Sequence, residues 1–205
     1  MNGVVVRDPE FPVAADDRVA VDGKPLQAAA RLCIALNKPR GVVTTARDEH
    51  GRDTVYDCLR DAGLPWLGPV GRLDRASEGL LLLSNDPAWA AAITDPERGP
   101  DKTYHVQVDP VPDAAALARL EAGIDVDGER LAAKSARVLR SGGRTAWLEI
   151  VLDEGRNRQI RRLLQADGYA VRRLVRVAIG PLLLGDLPKG AWRVLTEAEI
   201  GALSG

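Results

Sequence analysis

Hydrophobic positions along the chain fall into short runs separated by turn residues, which predicts many strands and a few helices. The continuous apolar run at 79–85 predicts a strand covered on both faces, whereas 102–108 alternates between apolar and polar residues. Asp86 and Pro87 predict a helix start, because Asp caps helices and Pro suits their first position. Since strands and helices rarely alternate as βαβ units, we predict an α+β fold with a mixed, largely antiparallel sheet.

The remaining segments carry weaker versions of the same signals. Turn residues at 21–24 and 126–130 predict tight hairpins, and Thr196 with Glu199 fits a capping box for a last helix. Further strands are predicted at 4–6, 18–21, 31–37, 41–45, 131–140, 144–153 and 170–180. Further helices are predicted at 54–63, 112–123 and 157–167.

Composition narrows the class of protein. The chain has 205 residues, of which 45% are hydrophobic and 28% charged, with a net charge of −1, as is ordinary for a soluble globular protein. It contains no apolar run near the roughly 20 residues that span a bilayer. Cys33 and Cys58 are far apart, as are His50 and His105, which argues against a disulfide framework or a metal site. We therefore expect a protein of the reducing cytoplasm that contacts no membrane.

Positive charge is concentrated in one segment. Between Glu154 and Arg176 there are seven arginines, no lysines and two acids, and arginine suits forked recognition of phosphate or carboxylate. On a helix capped by Asn157, one stripe would carry Arg158, Arg161, Arg162 and Gln165. The segment is therefore either a phosphate-binding face or an exposed amphipathic helix, and charge alone does not choose between them.

The stretch GRLDRASEGLLLLSND at 71–86 sets a carboxylate, Asp74, at the edge of the most apolar run. In an extended GRLD segment, Arg72 and Asp74 project to one side and Leu73 to the other. An arginine nearby would hold Asp74 ionised, as a nucleophile or an electrostatic stabiliser, and make it a poor general acid. The alternative is an Asp that ends a strand or caps a helix. A glycosidase pair with Glu78 has little support, because the spacing fixes no carboxylate separation.

Six segments, in this order, resemble one family. They are LNKPRGVVTT (36–45), GRDTVYDCL (51–59), GPVGRLDRASEGLLLLSND (68–86), DKTYHVQV (101–108), EGRNRQIRRLL (154–164) and RLVRVAIGPLLLGDLPKGAWRVLT (173–196). Over residues 31–205 the chain resembles the bacterial ribosomal pseudouridine synthases of the RsuA-like group. The resemblance implies an α+β catalytic domain that isomerises a uridine of ribosomal RNA to pseudouridine and needs no metal or cofactor.

The resemblance also implies roles for individual residues. Asp74 matches the catalytic aspartate, and Tyr104 matches the tyrosine that packs on the target base and has been considered for proton transfer. Arg161 matches the arginine that pairs with the aspartate, and Arg158 is the second choice. The residues expected to bind substrate are Arg72, Lys38, Arg156, Arg158, Arg162, Leu174 and Val175.

Four of these substrate-binding residues have more specific expectations. Arg72 would help to hold or replace the extruded nucleotide, and Lys38 belongs to a supporting motif. Leu174 and Val175 would form the apolar floor of the base pocket. The uridine must leave the RNA stack, because its anomeric carbon is inaccessible there.

The reaction itself leaves several interpretations open. The aspartate would attack the sugar, attack the base or remove a ribose 2′ proton to give a glycal, and the sequence does not choose among these. The expected partner is ribosomal RNA, bound by a monomer. Rival interpretations are a noncatalytic RNA-binding or ribosome-assembly factor and a hydrolase of nucleosides or glycosides. The presence of Asp74, Tyr104 and Arg161 argues against the noncatalytic factor.

The first residues depart from the family pattern. Full-length members carry an N-terminal RNA-binding domain like that of ribosomal protein four, in which helices precede a small β part. The segment before residue 31 is rich in proline and charge and resembles only that β tail, joined through GKPLQAAA (23–30). We therefore predict a β-tail remnant with a linker at 1–30 and a catalytic domain at 31–205.

Overall fold

The chain forms two compact units, Met1–Ala30 and Arg31–Gly205. The structure is a computed structural model that describes residues 1–8, 10–14, 16–26 and 30–204. Residues 27–29 of the predicted linker therefore lie outside the described residues. The origin of the first unit as the β tail of an RNA-binding domain stays a prediction.

The first unit contains a small hairpin, in which β1 (Ala20–Val21) pairs antiparallel with β2 (Lys24–Pro25). Its turn residues, Asp22 and Gly23, have positive φ angles of 49° and 77°, which suits the tight turn predicted there. Residues 4–6 do not form the predicted strand. In the described part of this unit no strand pairs with them, and Val5 is 80% exposed, so no burial favours an extended conformation.

The second unit is built on one large sheet. The strands of this unit are β3 (Cys33–Lys38), β4 (Gly68–Val70), β5 (Glu78–Ser84), β6 (Lys102–Asp109), β7 (Ile124–Val126), β8 (Glu129–Leu131), β9 (Ser135–Ser141), β10 (Ala146–Leu152), β11 (Ala170–Ile179), β12 (Leu182–Leu183) and β13 (Trp192–Val194). The sheet runs β13-β3-β5-β11-β6-β10-β9, with β4 beside β5 and β12 beside β11, and β7 pairs with β8 in a separate hairpin. Only β5 and β11 run parallel among these described pairs. The predicted α+β fold with a mixed, largely antiparallel sheet is confirmed.

Helices cover the sheet. They are α1 (Pro87–Thr94), α2 (Ala114–Ala122), α3 (Gln159–Ala166) and α4 (Glu197–Ser204). As predicted, the Asp86 carboxylate caps α1 by accepting from the backbone N–H of Trp89. Thr196 and Glu199 form the predicted capping box before α4. In the described ranges no helix is both long enough and apolar enough to cross a membrane.

Some predicted elements have the wrong type, length or first residue. The helix predicted at 54–63 is a 3₁₀ turn at Val55–Leu59 that buries only Val55, too small an apolar face to support a longer helix. The strand predicted at 41–45 is reduced to an isolated bridge. Helix α3 begins at Gln159 rather than at Asn157, because Arg158 before it takes a left-handed conformation with φ 49°.

The apolar core lies on both faces of the central strand β5, every residue of which is buried. Leu81 and Leu83 pack in the larger core with residues of β6 and α3, whereas Leu80 and Leu82 pack against α1 and α4. Burial on both faces fixes the position of the strand, as its continuous apolar character predicted. The turn at residues 71–77, which carries the GRLD motif, leads directly into this rigid element.

Candidate active site

A cavity of about 530 Å³ opens beside the GRLD turn, between β6, β11 and the start of α3. This volume is within the range of ligand-binding pockets in proteins. The predicted residues that line the cavity are Asp74, Tyr104, Arg161, Arg72, Arg156, Arg158 and Leu174. The structure therefore brings together most of the residues that the sequence singled out, although they come from distant parts of the chain.

Asp74 stands at the mouth of this cavity. Leu73 before it is buried and Arg72 is exposed, so the alternation predicted for an extended GRLD segment holds, although the segment is a loop. The Asp74 carboxylate is 35% exposed and lies 3.4 Å from a guanidinium nitrogen of Arg158. Because arginine is always protonated, this contact sets a permanent positive charge beside the carboxylate.

The arginine that pairs with Asp74 is Arg158, the second choice predicted from the sequence. Arg161 donates instead to the backbone carbonyl of Ala76, at 3.0 Å, in the turn that carries Asp74. Arg158 precedes α3 and its side chain reaches the carboxylate, whereas Arg161 leaves the helix one turn later and reaches the backbone. Burial, and then the charge of Arg158, lower the pKa of Arg161. Both arginines thus hold the turn, one through a side chain and the other through the backbone.

Lys38 supports the same turn from below. Its side chain is fully buried, and its ammonium donates to the carbonyls of Pro39, Asp74 and Ser77 at 3.0, 3.2 and 2.9 Å. Burial lowers the pKa of Lys38 to about 8. Lys38 was predicted among the substrate-binding residues as part of a supporting motif. It does not line the cavity, because the carbonyls at the end of β3 and in the turn take up its ammonium.

The floor of the cavity is apolar. It includes Tyr104 of β6 and Leu174 of β11, which are 9% and 5% exposed. Val175, the other residue predicted for this floor, lies on the opposite face of the sheet, beside Trp147 and His105. Successive side chains of a strand point to opposite faces, so Leu174 and Val175 cannot both face the cavity.

The walls of the cavity carry positive charge. Arg156 lines it while binding Glu154, but Arg162 does not, because it binds Glu129 in the β7–β8 hairpin. Two cavity cations were not predicted from the sequence, Lys102 of β6 and Arg176 of β11. Both lie two positions from a residue of the observed floor on the same strand, Tyr104 or Leu174, a spacing that puts them on the cavity face.

Arg176 is the more deeply buried of these two cations. It is only 6% exposed, and its Nε donates to the carbonyl of Leu80. One terminal guanidinium nitrogen is buried without a hydrogen-bond partner among the described residues, as is Nε of Arg161. Unpaired buried donors cost free energy, and both of these residues line the cavity.

Glu78, the second carboxylate considered for a glycosidase pair with Asp74, has another role. Glu78 is 2% exposed and binds Arg173 and Lys189. Burial raises its pKa, but the hydrogen bonds from Arg173 and Lys189 outweigh burial and hold the pKa of Glu78 below its usual value. Within the described ranges no three His, Cys, Asp or Glu side chains are grouped to hold a metal ion.

The fold and the cavity define an α+β protein with an ion-paired aspartate in a positively charged pocket. A family model described as RNA pseudouridylate synthase matches residues 32–166 of the chain. That match covers more than half of the sequence. The chain therefore belongs to the RNA pseudouridylate synthase family and is an isomerase of that family.

Individual relatives agree with this assignment. A protein of Aquifex aeolicus, described as an uncharacterized RNA pseudouridine synthase, is 38% identical over 99% of this chain and 82% of its own length. Ribosomal large subunit pseudouridine synthase B of Bacillus subtilis is 35% identical over 99% of this chain and 84% of its own length. A crystal structure of a pseudouridylate synthase is 31% identical, with a TM-score of 0.72 over 98% of this chain and 86% of that chain.

Proposed function

We propose that this chain isomerises a uridine of large-subunit ribosomal RNA to pseudouridine, with Asp74 as the catalytic carboxylate. Relatives from Bacillus subtilis and Vibrio parahaemolyticus, at 35% and 37% identity, are named ribosomal large subunit pseudouridine synthases B and E. The observation that carries the proposal is the Asp74 carboxylate, 3.4 Å from Arg158, at the mouth of a cavity floored by Tyr104 and Leu174. We further expect the chain to act as a cytoplasmic monomer on free or partly assembled ribosomal RNA.

The residues suit the bonds that must change. The glycosidic bond from the base nitrogen breaks, the uracil turns, carbon 5 joins the sugar and loses its proton, and the freed base nitrogen takes up a proton. The carboxylate of Asp74 attacks the sugar or the base, or takes the ribose 2′ proton. Tyr104 and Leu174 present a nearly dry surface on which the detached uracil can turn without losing contact with the enzyme.

The surrounding cations suit an everted nucleotide. Taking a nucleotide out of the RNA stack costs a few kcal/mol. Arg72, Arg156 and Arg158 are exposed at the cavity and can bind the phosphates that flank it, which offsets that cost. Arg161 and Lys38 act indirectly, because they hold the backbone of the turn that carries Asp74.

The proposal is tested by tritium release from an unmodified large-subunit transcript labelled at carbon 5 of uridine. The wild type should release tritium, and Asp74→Asn, which keeps the size of the side chain, should release none. Arg158→Gln should lower kcat about 10- to 100-fold, the equivalent of a hydrogen bond of about 1.5–3 kcal/mol to a charged group. Arg137→Gln, which alters an exposed arginine paired with Glu149, should match the wild type.

Three outcomes would overturn the proposal. Tritium release by Asp74→Asn at the wild-type rate would remove the carboxylate from the reaction. Tight binding of the transcript by the wild type without any release would favour a noncatalytic RNA-binding or assembly factor. Free uracil that accumulates with time would favour a hydrolase.

A further inference from the structure

Ion pairing divides the cations of the second unit into two groups. Most arginines and lysines in residues 31–204 lie within 4.0 Å of a carboxylate. Six cations that have no such partner in the described structure line the active-site cavity or the cavity next to it: Arg47, Arg72, Arg75, Lys102, Arg161 and Arg176. Four other cations in residues 31–204, Lys38, Arg40, Arg98 and Arg140, also have no carboxylate partner but line neither cavity, so the larger group of unpaired cations surrounds Asp74.

The adjoining cavity has a volume of about 440 Å³ and lies between the segment at 43–52 and the GRLD turn. Arg72, Leu73 and Asp74 line both cavities, so the two spaces meet at the catalytic carboxylate. This second cavity is open to solvent and polar, with exposed Arg47 on one wall. Its position makes it the continuation of the active site in one direction.

Besides Arg72, two arginines of the second cavity have guanidinium groups free to bind a ligand. The Arg47 side chain makes no hydrogen bond to the described residues, and Arg75 uses only its Nε, which donates to the carbonyl of Gly41 at 3.3 Å. Arg52 in the same segment shows the contrasting arrangement, because it is held by Asp48. Grouped like charges repel one another, so free guanidinium groups around one space are favoured when an anion occupies it.

The acidic residues that line the second cavity do not cancel its positive charge. Asp48 is paired with Arg52, and Asp74 with Arg158, which leaves exposed Glu49 against three free arginines. Of the free cations that line only the active-site cavity, Lys102 and Arg161 are half-buried and Arg176 is buried. The exposed free arginines of the two cavities, Arg47, Arg72 and Arg75, all line the second cavity.

We propose that this second cavity binds the backbone phosphates of the nucleotides adjoining the target uridine, with Arg47 and Arg75 as phosphate ligands. The inference rests on the proposed function, since a uridine in the active-site cavity stays linked to its neighbours in the strand. The strand leaves past Asp74 and Arg72 into the second cavity. Arginine forks match phosphate oxygens in two-point hydrogen bonds, so these contacts fix the strand without reading its bases.

The test measures salt dependence with the full chain and the unmodified large-subunit transcript. Arg47→Gln and Arg75→Gln should each make the plot of log(kcat/KM) against log[KCl] shallower by about 0.7, the slope of one phosphate contact on a single strand. Both variants should raise KM and leave kcat unchanged. Arg47→Lys should keep the wild-type slope because it keeps the charge. Arg137→Gln serves as the matched control, since its exposed arginine already has a carboxylate partner.

Transcript binding by the same variants is measured across the same salt range, which separates this inference from the proposed function. Equal slopes for Arg47→Gln, Arg75→Gln and Arg137→Gln would overturn the phosphate site even if the wild type releases tritium. A wild type without tritium release, whose binding slope still depends on Arg47 and Arg75, would overturn the proposed function and support the phosphate site. A fall in kcat without a change of slope would make the two arginines supports of the GRLD turn and would overturn the inference.

Discussion

Replacing Lys38 with methionine tests whether the turn of Asp74 depends on one buried ammonium. The substitution keeps an unbranched side chain and removes the donor that binds the carbonyls of Asp74 and Ser77. The Asp74 carbonyl still accepts from the backbone N–H of Ser77, at 2.9 Å, so the turn should loosen rather than unfold. A displacement of about 1 Å at a reacting group can cost about 100-fold in rate. We therefore expect kcat for tritium release to fall about 100-fold.

The effect of Lys38→Met on stability follows from opposing contributions. Burial lowers the pKa of Lys38 from 10.5 to about 8, which disfavours the charged form by about 3 kcal/mol. Methionine avoids this cost but leaves the carbonyls of Pro39, Asp74 and Ser77 without this donor, and each unsatisfied buried acceptor costs about 1–3 kcal/mol, a larger sum. The variant should therefore have a lower free energy of unfolding than the wild type at pH 7.

The free energy of unfolding of the wild type depends on pH through Lys38. Because the pKa of Lys38 is lower in the folded state, the unfolded chain binds more protons between about pH 8 and 10.5. The free energy of unfolding of the wild type should therefore rise with pH, and linkage gives about 1.4 kcal/mol between pH 7 and pH 9 from this group. Methionine has no proton to lose, so the stability difference between wild type and variant should widen by that amount.

Urea unfolding at pH 7 and pH 9 measures this difference, with Arg137→Gln as a surface control. Other groups that titrate in this range are common to all three proteins, so their effects cancel in the comparison. A wild-type-to-variant difference that stays constant or narrows at pH 9 would refute the argument that Lys38 is a desolvated ammonium. An unchanged kcat would refute its role in positioning Asp74.

Two further substitutions test how the second unit is held together. Gly79→Ala should destabilise by more than about 3 kcal/mol in urea unfolding, since its Cβ would lie 2.3 Å from a carbonyl oxygen of β11 at φ 105°. Gly143→Ala, with nothing within 4 Å, should be nearly neutral. Glu78→Gln should lower stability by about 1–3 kcal/mol at pH 7, since Arg173 and Lys189 lose a buried partner. Because the pKa of Glu78 is lowered on folding, this difference should shrink as the pH falls to 4; a constant difference would contradict the ion-pair argument.

Local patterns in the sequence predict the parts of the fold that local interactions decide. The continuous run at 79–85 and the alternating run at 102–108 become β5 and β6, because burial on two faces or one face leaves different periods in the sequence. The caps at Asp86 and Thr196 are also visible, since a capping side chain binds backbone within its own helix turn. Asp74, Tyr104 and Leu174 meet at one cavity as expected.

Interactions between distant segments are not visible in this way. The partner of Asp74 depends on where α3 begins, and a left-handed Arg158 gives no signal, because few residues other than glycine adopt that conformation. Lysine is almost never fully buried. The burial of Lys38 follows from three carbonyls at the end of β3 and in the turn around Ser77. A shift of two residues in a helix start was therefore enough to exchange the roles of two arginines.

Side chains along β6 and β11 alternate between the two faces of the sheet. This alternation determines which residues reach the active site more than residue type does. Once Leu174 faces the cavity, Val175 must face away and Arg176 must face the cavity, and the same rule places Lys102 with Tyr104. The pairing of β11 with β6 shifts between Val171 and Arg173 and again between Arg176 and Ala178, so the alternation holds within the intervening segment and fails across its ends. Arg173 falls on the far face, where it binds Glu78 and lies over Trp147. The cluster of seven arginines is thus not one phosphate-binding surface. Only the alternation of side chains along the strand and the ion pairs show which of its members can contact RNA.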